Sequence, residues 1–185
     1  MPLIKNGALE PHNWVFAARG DPLPSHGDVV VDLMAFIETG EVAFSGAGRI
    51  GVALPNDADL GLIAARLGRI GLVTIDFPGF ADGRGFSLAR ELRHSYRYKG
   101  ELWARGYLIP DQYVFARACG FDGVLVDEAV FARQGEDDWR EAAASMNLRY
   151  QLSHGDYEGA PQSILALRKA ARQASASANR RGEVK

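Results

Sequence analysis

Charged side chains that could do chemistry gather in the stretch Phe77–Arg93, which reads FPGFADGRGFSLARELR. Asp82 and Arg84 lie among its glycines, and a carboxylate that faces an arginine can position a polar substrate or exchange protons. The planar guanidinium of Arg84 suits an oxyanion, and a glycine-rich turn before a helix suits an anion. We predict that Asp82 accepts hydrogen bonds from nearby backbone amides, that Arg84 points outward to a ligand, and that Ser87 caps the following helix.

Further polar residues follow the strand-like runs on either side of this stretch. Asp76 ends one run, Arg105 ends the next, and Asp111 begins a helical pattern. In sheets of parallel strands, ligands collect at the carboxyl ends of the strands, so these side chains are candidates for a site. A structural interpretation stays open, in which Asp82 and Asp111 stabilise turns and helix starts and the arginines pair with them.

A basic zone is predicted on the helix that follows the turn. Arg90, Arg93 and Arg97 have the spacing i, i+3 and i+7, which places them on one helix face. With Arg84 and Lys99 nearby, this is a locally basic zone in a chain of net charge −2. It would suit an anionic small molecule or an acidic protein, and an ordinary solvated face is the alternative.

Composition argues against several classes of protein. The chain has no basic excess that would indicate nucleic acid binding, and no apolar run near the roughly 18 residues of a membrane span. Cys119 is the only cysteine, which rules out an intrachain disulfide and a cysteine-ligated iron–sulfur cluster. The four histidines lack metal-ligand spacing, and the N-terminus lacks a signal-peptide pattern. We therefore expect a cytoplasmic protein without a metal or a cofactor.

One motif suggests a nucleotide but lies in the wrong context. Residues 46–51 read GAGRIG and match the pattern G-x-G-x-x-G, which requires a helix directly after it. Here an apolar, strand-like run follows and is closed by Pro55. The sequence therefore predicts a glycine hairpin that enters a strand, with no nicotinamide or flavin bound.

The elements that must position these residues alternate between strand and helix. Short loops join them, which implies parallel strands with right-handed crossovers, either in an open three-layer sheet or in a half-barrel. A helix is predicted over Ser87–Tyr96, and another carries Leu60, Ile63 and Leu67. The predicted central strands are Ile50–Leu54, Leu72–Asp76, Leu102–Arg105 and Val124–Asp127.

The domain organisation follows from these elements. Residues 1–172 are predicted to form one α/β domain, with an irregular N-terminal arm and strands at 1–48, a βα core at 49–152 and a C-terminal helix at 153–172. Residues 173–185 contain mainly alanine, serine and charged residues, with no apolar face to bury. We therefore expect a flexible tail there.

The stretch Phe77–Arg93 also resembles the signature of a bacterial family, domain of unknown function 934. The resemblance continues in order through Tyr98–Gly106 (YKGELWARG), Asp111-Gln112 and Cys119–Asp122 (CGFD), within residues 51–127. Trp103 is a departure, since arginine is expected at that position. Members are labelled as oxidoreductases involved in sulfite reduction, because their genes lie beside those for assimilatory sulfite or nitrite reductase and phosphoadenosine phosphosulfate reductase.

The resemblance implies an accessory protein of assimilatory sulfate or sulfite reduction. It would act with one of these reductases, and an oxyanion is a candidate ligand. One alternative is a small βα enzyme that acts on a phosphate- or sulfate-bearing substrate with Asp82, Arg84 and Asp111. Another is a structural partner of the reductase without a ligand. The candidate ligand- or partner-binding residues are Asp82, Gly83, Arg84, Gly85, Ser87, Arg93, Arg105, Asp111 and Gln112.

Overall fold

The computed structural model describes residues 1–21, 26–39 and 48–144. The predicted C-terminal helix at 153–172 and the predicted tail at 173–185 lie outside the described residues. The strands are β1 (Leu3–Lys5), β2 (Ala8–Glu10), β3 (Val15–Ala17), β4 (Val29–Asp32), β5 (Ile50–Leu54), β6 (Ile70–Phe77), β7 (Glu101–Gly106) and β8 (Gly123–Val126). The α-helices are α1 (Leu33–Thr39), α2 (Arg84–His94), α3 (Pro110–Cys119) and α4 (Glu128–Ala144).

The described strands form one sheet in the order β2-β1-β8-β7-β6-β5-β4-β3. Neighbours from β3 to β8 pair in parallel, whereas β1 pairs antiparallel with both β2 and β8. The predicted parallel arrangement of the four central strands is therefore confirmed. Strands β3 to β8 are neighbours in the order in which they occur in the chain, and right-handed crossovers between them place the helices on one face of the sheet. This arrangement is a half-barrel, whereas helices on both faces would require the strand order to reverse. The N-terminal arm supplies β1, β2 and β3 to this sheet.

The chain connection between the two edge strands shows that the sheet is curled. Only Pro11–Trp14 separate β2 from β3, so Glu10 and Val15 are at most about 18 Å apart. In a flat sheet of eight strands the two edges would be about 34 Å apart. Contacts across the inner face agree, because the Arg105 guanidinium of β7 lies 5.4 Å from the Phe16 ring of β3.

The two faces of the curled sheet pack against different groups. The outer face packs against the helices in one large cluster, where Ile75 and Phe77 of β6 lie with Phe86 and Leu92 of α2. Among the described residues, the inner face is filled by side chains from the strands and from Trp14 just before β3, and none of them belongs to a helix. Burying apolar area on both faces stabilises the fold. The buried residues of this inner cluster are Leu3, Trp14, Val30, Ala53, Leu72, Trp103 and Leu125.

Several local expectations are corrected by the structure. The α-helix expected after β5 is two short 3₁₀ segments, Leu60–Leu62 and Ala64–Arg69. Helix α2 begins at Arg84, before the predicted start at Ser87. Helix α3 begins with Pro110, and proline is favoured in the first turn of a helix. It is followed by Gly120 in a left-handed conformation with φ of 103°, which is common for a glycine at the end of a helix.

A strand does follow the glycine motif, as the sequence predicts. The first two residues of the motif, Gly46 and Ala47, lie outside the described residues, but its last residue, Gly51, belongs to β5. A Cβ atom on Gly51 would lie 2.9 Å from Cγ2 of Val30 on the neighbouring strand. Close packing inside the curled sheet therefore accounts for this glycine. Within the described ranges, no helix has the length and apolar content needed to span a bilayer.

Candidate functional site

A cavity of about 580 Å³ opens at the carboxyl ends of β3 to β7, on the inner face of the sheet. This is the end at which barrels built from βα units bind their ligands, because the loops that follow the strands converge there. Apolar and charged side chains share the wall. Among its lining residues are Phe16, Asp32, Ala53, Pro55, Asp76 and Arg105.

An ion pair between neighbouring strands forms one wall of this cavity. Asp76 and Arg105 are register partners on β6 and β7, so both side chains point to the inner face. The Arg105 Nε and Nη2 atoms donate to Asp76 Oδ1 and Oδ2 at 2.6 and 2.7 Å. Their side chains are 27% and 37% exposed for Arg105 and Asp76 respectively. This two-point geometry holds the guanidinium plane fixed at the mouth of the half-barrel.

Two further residues of the cavity were not among the sequence-based candidates. Asp32 ends β4, and its Oδ1 accepts hydrogen bonds from the amides of Met34 and Ala35 at 2.9 and 3.3 Å. Phe16 of β3 lies beneath the Arg105 guanidinium. Asp32 could have been found, because it follows the apolar run Val29–Val31 just as Asp76 follows its own. Phe16 carries no such signal, since β3 is only three residues long.

The turn between β6 and α2 is held by charge pairs. Arg84 donates to Asp82 Oδ1 and Oδ2 at 3.0 and 2.8 Å and to Asp57 Oδ2 at 3.3 Å. The Arg84 amide also donates to Asp82 at 3.3 Å, which confirms that Asp82 accepts a local backbone hydrogen bond. The Arg84 side chain is 59% exposed, so it lies at the surface as expected, but its guanidinium is paired with two carboxylates. Ligand binding by Arg84 stays a prediction. The Arg84 guanidinium lowers the pKa of Asp82 well below its usual value.

Other residues of the turn have structural explanations. Gly83 occupies the N-cap position of α2, so Ser87 lies inside the helix, exposed, and is not the cap. A Cβ atom on Gly85 would lie 2.6 Å from the Phe77 ring, which explains the glycine there. Close packing of the turn onto β6 therefore requires a residue without a side chain at position 85.

Gln112 fastens this turn to the start of α3. Its Nε2 donates to the Phe80 carbonyl at 2.7 Å, while its Oε1 accepts from the Ile109 amide at 3.3 Å. Within the turn, the Asp82 amide donates to the Gly79 carbonyl at 3.1 Å. The Phe80 side chain itself is 67% exposed. A large aromatic ring is thus presented to solvent on a loop whose backbone is fixed.

Arg93 lies at the opposite end of the sheet, away from the predicted site. It donates to the carbonyls of Tyr98, Gly100 and Gly120 at 2.8 to 3.0 Å and to Asp122 Oδ2 at 2.6 Å. These contacts join α2, β7 and the α3–β8 connection. The prediction that Arg93 belongs to an exposed basic face is therefore wrong, since its side chain is turned inward and only 19% exposed.

Asp111 is exposed in the first turn of α3 and does not join the other candidates. It lines a shallow depression with Gln134, Asp138 and Glu141. Asp82 and Arg84 line a different depression, which is formed by residues 78–84. The three residues proposed for a small βα enzyme are thus not brought into one cavity.

Neither metal binding nor thiol chemistry is indicated by the described residues. Within residues 1–21, 26–39 and 48–144, no group of three His, Cys, Asp or Glu side chains could hold a metal ion. Cys119 is buried beside the outer core, and its burial raises the pKa of the thiol. A thiol of raised pKa is a poor nucleophile at neutral pH.

Comparison with known proteins places the chain in a family. The model of the family described as "Bacterial protein of unknown function (DUF934)" matches residues 51–160. The chain belongs to this family. Residues 51–144 of the match contain β5 from Gly51 onward, β6 to β8, the turn after β6 and the Asp76–Arg105 pair. The matched region contributes Ala53, Pro55, Asp76 and Arg105 to the cavity wall, and the remaining lining residues precede it in the chain. No curated protein matched the chain.

Proposed function

We propose that this DUF934 protein is a cytoplasmic accessory protein of assimilatory sulfate or sulfite reduction. In this role it docks on a sulfite, nitrite or phosphoadenosine phosphosulfate reductase. The resemblance of its signature stretch to the family supports the pathway. The observation that carries the docking role is Phe80, an exposed aromatic ring on the fixed turn between β6 and α2.

Physical chemistry favours Phe80 as an anchor for a protein partner. Exposed aromatic rings are frequent centres of binding energy in interfaces, and a backbone that is already ordered loses little entropy on association. The turn is held from two sides, by Asp57 through Arg84 and by Gln112 through the Phe80 carbonyl. Such a loop presents its ring without further rearrangement.

The docking role can be tested with purified sulfite reductase from the same bacterium, immobilised for biolayer interferometry. We expect Phe80→Ser to weaken binding about tenfold or more, the loss typical of an interface anchor. Leu62→Ser is the matched control, because Leu62 is 51% exposed and lies outside the turn. Equal binding by the two variants would count against Phe80 as the anchor.

A growth assay tests the pathway separately from the interface. A strain without this gene should grow poorly on sulfate as sole sulfur source and normally on cysteine. Normal growth on sulfate would argue against the accessory role. The alternative, a structural partner of the reductase that binds no ligand, predicts the same outcome in the growth assay. It also predicts the same loss of reductase binding for Phe80→Ser in the interferometry.

Binding of an oxyanion at the turn stays a prediction. Arg84 would have to leave Asp82 and Asp57 to meet such a ligand, since both carboxylates already hold its guanidinium. A titration of the protein with sulfite and sulfate, followed by the same titration of Arg84→Ala, measures this directly. The small-enzyme alternative with Asp82, Arg84 and Asp111 also stays a prediction, and it would require Asp111 to approach the turn.

A further inference from the structure

The cavity at the mouth of the half-barrel has the size of an organic ligand. Its volume of about 580 Å³ lies within the range of about 300 to 1,000 Å³ that holds drug-sized molecules. An inorganic oxyanion such as sulfite would fill only a small part of it. Most lining residues are apolar, so the body of a fitting ligand is apolar or aromatic. These apolar residues include Phe16, Val30, Met34, Ala53 and Pro55.

The charged side chains around the cavity do not favour an anionic ligand. Both oxygens of Asp76 accept from Arg105, so that pair is neutral as a unit. Arg19, at the rim, donates to Glu38 at 2.6 Å. Asp32 adds a second carboxylate to the lining, so the carboxylates there are as numerous as the guanidinium groups. A ligand that is itself uncharged and offers hydrogen-bond donors matches this wall better than a phosphate or a sulfate.

Hydrogen-bonding capacity remains on the inner face. Asp32 uses Oδ1 to hold the start of α1, and its Oδ2 accepts from no group in the described part of the chain. Thr74 is fully buried two residues before Asp76 on β6, with its hydroxyl unpartnered among the described residues. Thr74 is the register partner of Ala53, which lines the cavity. Thr74 is not itself a lining residue, so the free acceptor that the cavity wall offers is Oδ2 of Asp32.

We propose that this cavity binds a nucleoside. The flat base packs against the apolar wall that contains Phe16, and the ribose hydroxyls donate to Asp32, since carboxylates are common acceptors for ribose hydroxyls. The Asp76–Arg105 pair supplies both an acceptor and a donor for polar atoms of the base. This site is independent of the Phe80 docking role and needs no reductase.

The test uses the full-length protein alone in isothermal titration calorimetry. Adenosine, guanosine, cytidine and uridine are the probes, and sodium sulfate is the comparison. We expect at least one nucleoside to bind saturably and sulfate not to compete with it. Absence of binding by all four at about millimolar concentration, where even weak sites are filled, would overturn the proposal. So would displacement of the bound nucleoside by sulfate.

A matched pair of variants then tests the residues. Asp32→Asn should weaken the nucleoside about tenfold, because an amide still caps α1 but is a poorer acceptor for hydroxyls. Asp59→Asn is the control, since Asp59 Oδ1 accepts from the Gly61 amide at 2.9 Å in the same capping role outside the cavity lining. Equal affinities of the two variants would refute the assignment. Phe16→Leu, which preserves apolar volume, gives a second readout and should weaken binding as well.

Discussion

Removal of the Arg93 guanidinium should strongly destabilise the protein, because this one side chain links three parts of the fold. In Arg93→Met the stem remains, while four donated hydrogen bonds are lost: three to carbonyls and one to Asp122. Asp122 Oδ2 also accepts from the Leu102 amide at 2.9 Å, so the same carboxylate positions the start of β7. The change thus loosens α2, β7 and the α3–β8 connection together.

The magnitude follows from the burial of the two partners. A hydrogen bond to a charged group contributes about 1.5–3 kcal/mol, but four bonds to one guanidinium are not additive. Arg93 is 19% exposed and Asp122 is 45% exposed, so water will recover part of the solvation of the carboxylate. We expect a loss of about 3–5 kcal/mol in the free energy of unfolding, because three part-buried carbonyls lose their donor in addition to the broken ion pair. In a chain of this size the melting temperature should fall by about 6–20 °C.

Urea denaturation followed by tryptophan fluorescence measures this loss, with Arg90→Met as the control. Arg90 is exposed on the same helix one turn earlier, so its substitution should change stability by less than about 0.5 kcal/mol. Arg93→Lys should recover only part of the loss, because an ammonium cannot reproduce the planar fork. A loss of under about 1 kcal/mol for Arg93→Met, no larger than that of a surface pair, would refute the reasoning.

Two more predictions concern acid stability and close packing. Hydrogen bonds from Arg49 lower the pKa of Asp28 below its usual 3.8. Charged Asp28 therefore stabilises the fold above about pH 4, and this contribution is lost as the pH falls through the folded-state pKa. The melting temperature of Asp28→Asn should depend less on pH below about pH 4 than that of the wild type, and an unchanged pH profile would contradict this. Gly85→Ala places a Cβ atom 2.6 Å from the Phe77 ring and should cost about 1–3 kcal/mol in a thermal melt. Gly79→Ala is the control, because a Cβ atom on Gly79 meets nothing within 4 Å. Equal melting temperatures of the two variants would contradict the clash.

Local sequence patterns were sufficient for the central strands. Ile50–Leu54 was predicted with its observed bounds, and the other three strands with ends within two residues of those found. Apolar runs that alternate with helical patterns across short loops allow few arrangements other than parallel strands with right-handed crossovers. The same patterns did not distinguish an open sheet from a half-barrel. That choice depended on where the N-terminal strands pair.

Those N-terminal strands illustrate what only tertiary structure decides. Each of β1, β2 and β3 has three residues, too few for a periodic pattern to show. Leu3 pairs with Leu125 on β8, more than a hundred positions later in the chain. Because Phe16 reaches the site only through the curl that these pairings impose, no local signal in the sequence could have placed it in the cavity.

The arginines of the candidate site show the same division. From residue type and spacing, Arg84, Arg93 and Arg105 are equally plausible ligands for an anion. In the structure each is engaged by a carboxylate, and the carboxylates belong to different parts of the chain. Arg84 pairs with Asp82 and Asp57, Arg93 pairs with Asp122, and Arg105 pairs with Asp76. The sequence by itself determined that arginines and carboxylates meet near strand ends. Which of them pair, and which border a cavity, was decided by strand register and by the curl of the sheet, because ion pairs form between groups that are close in space and not in sequence.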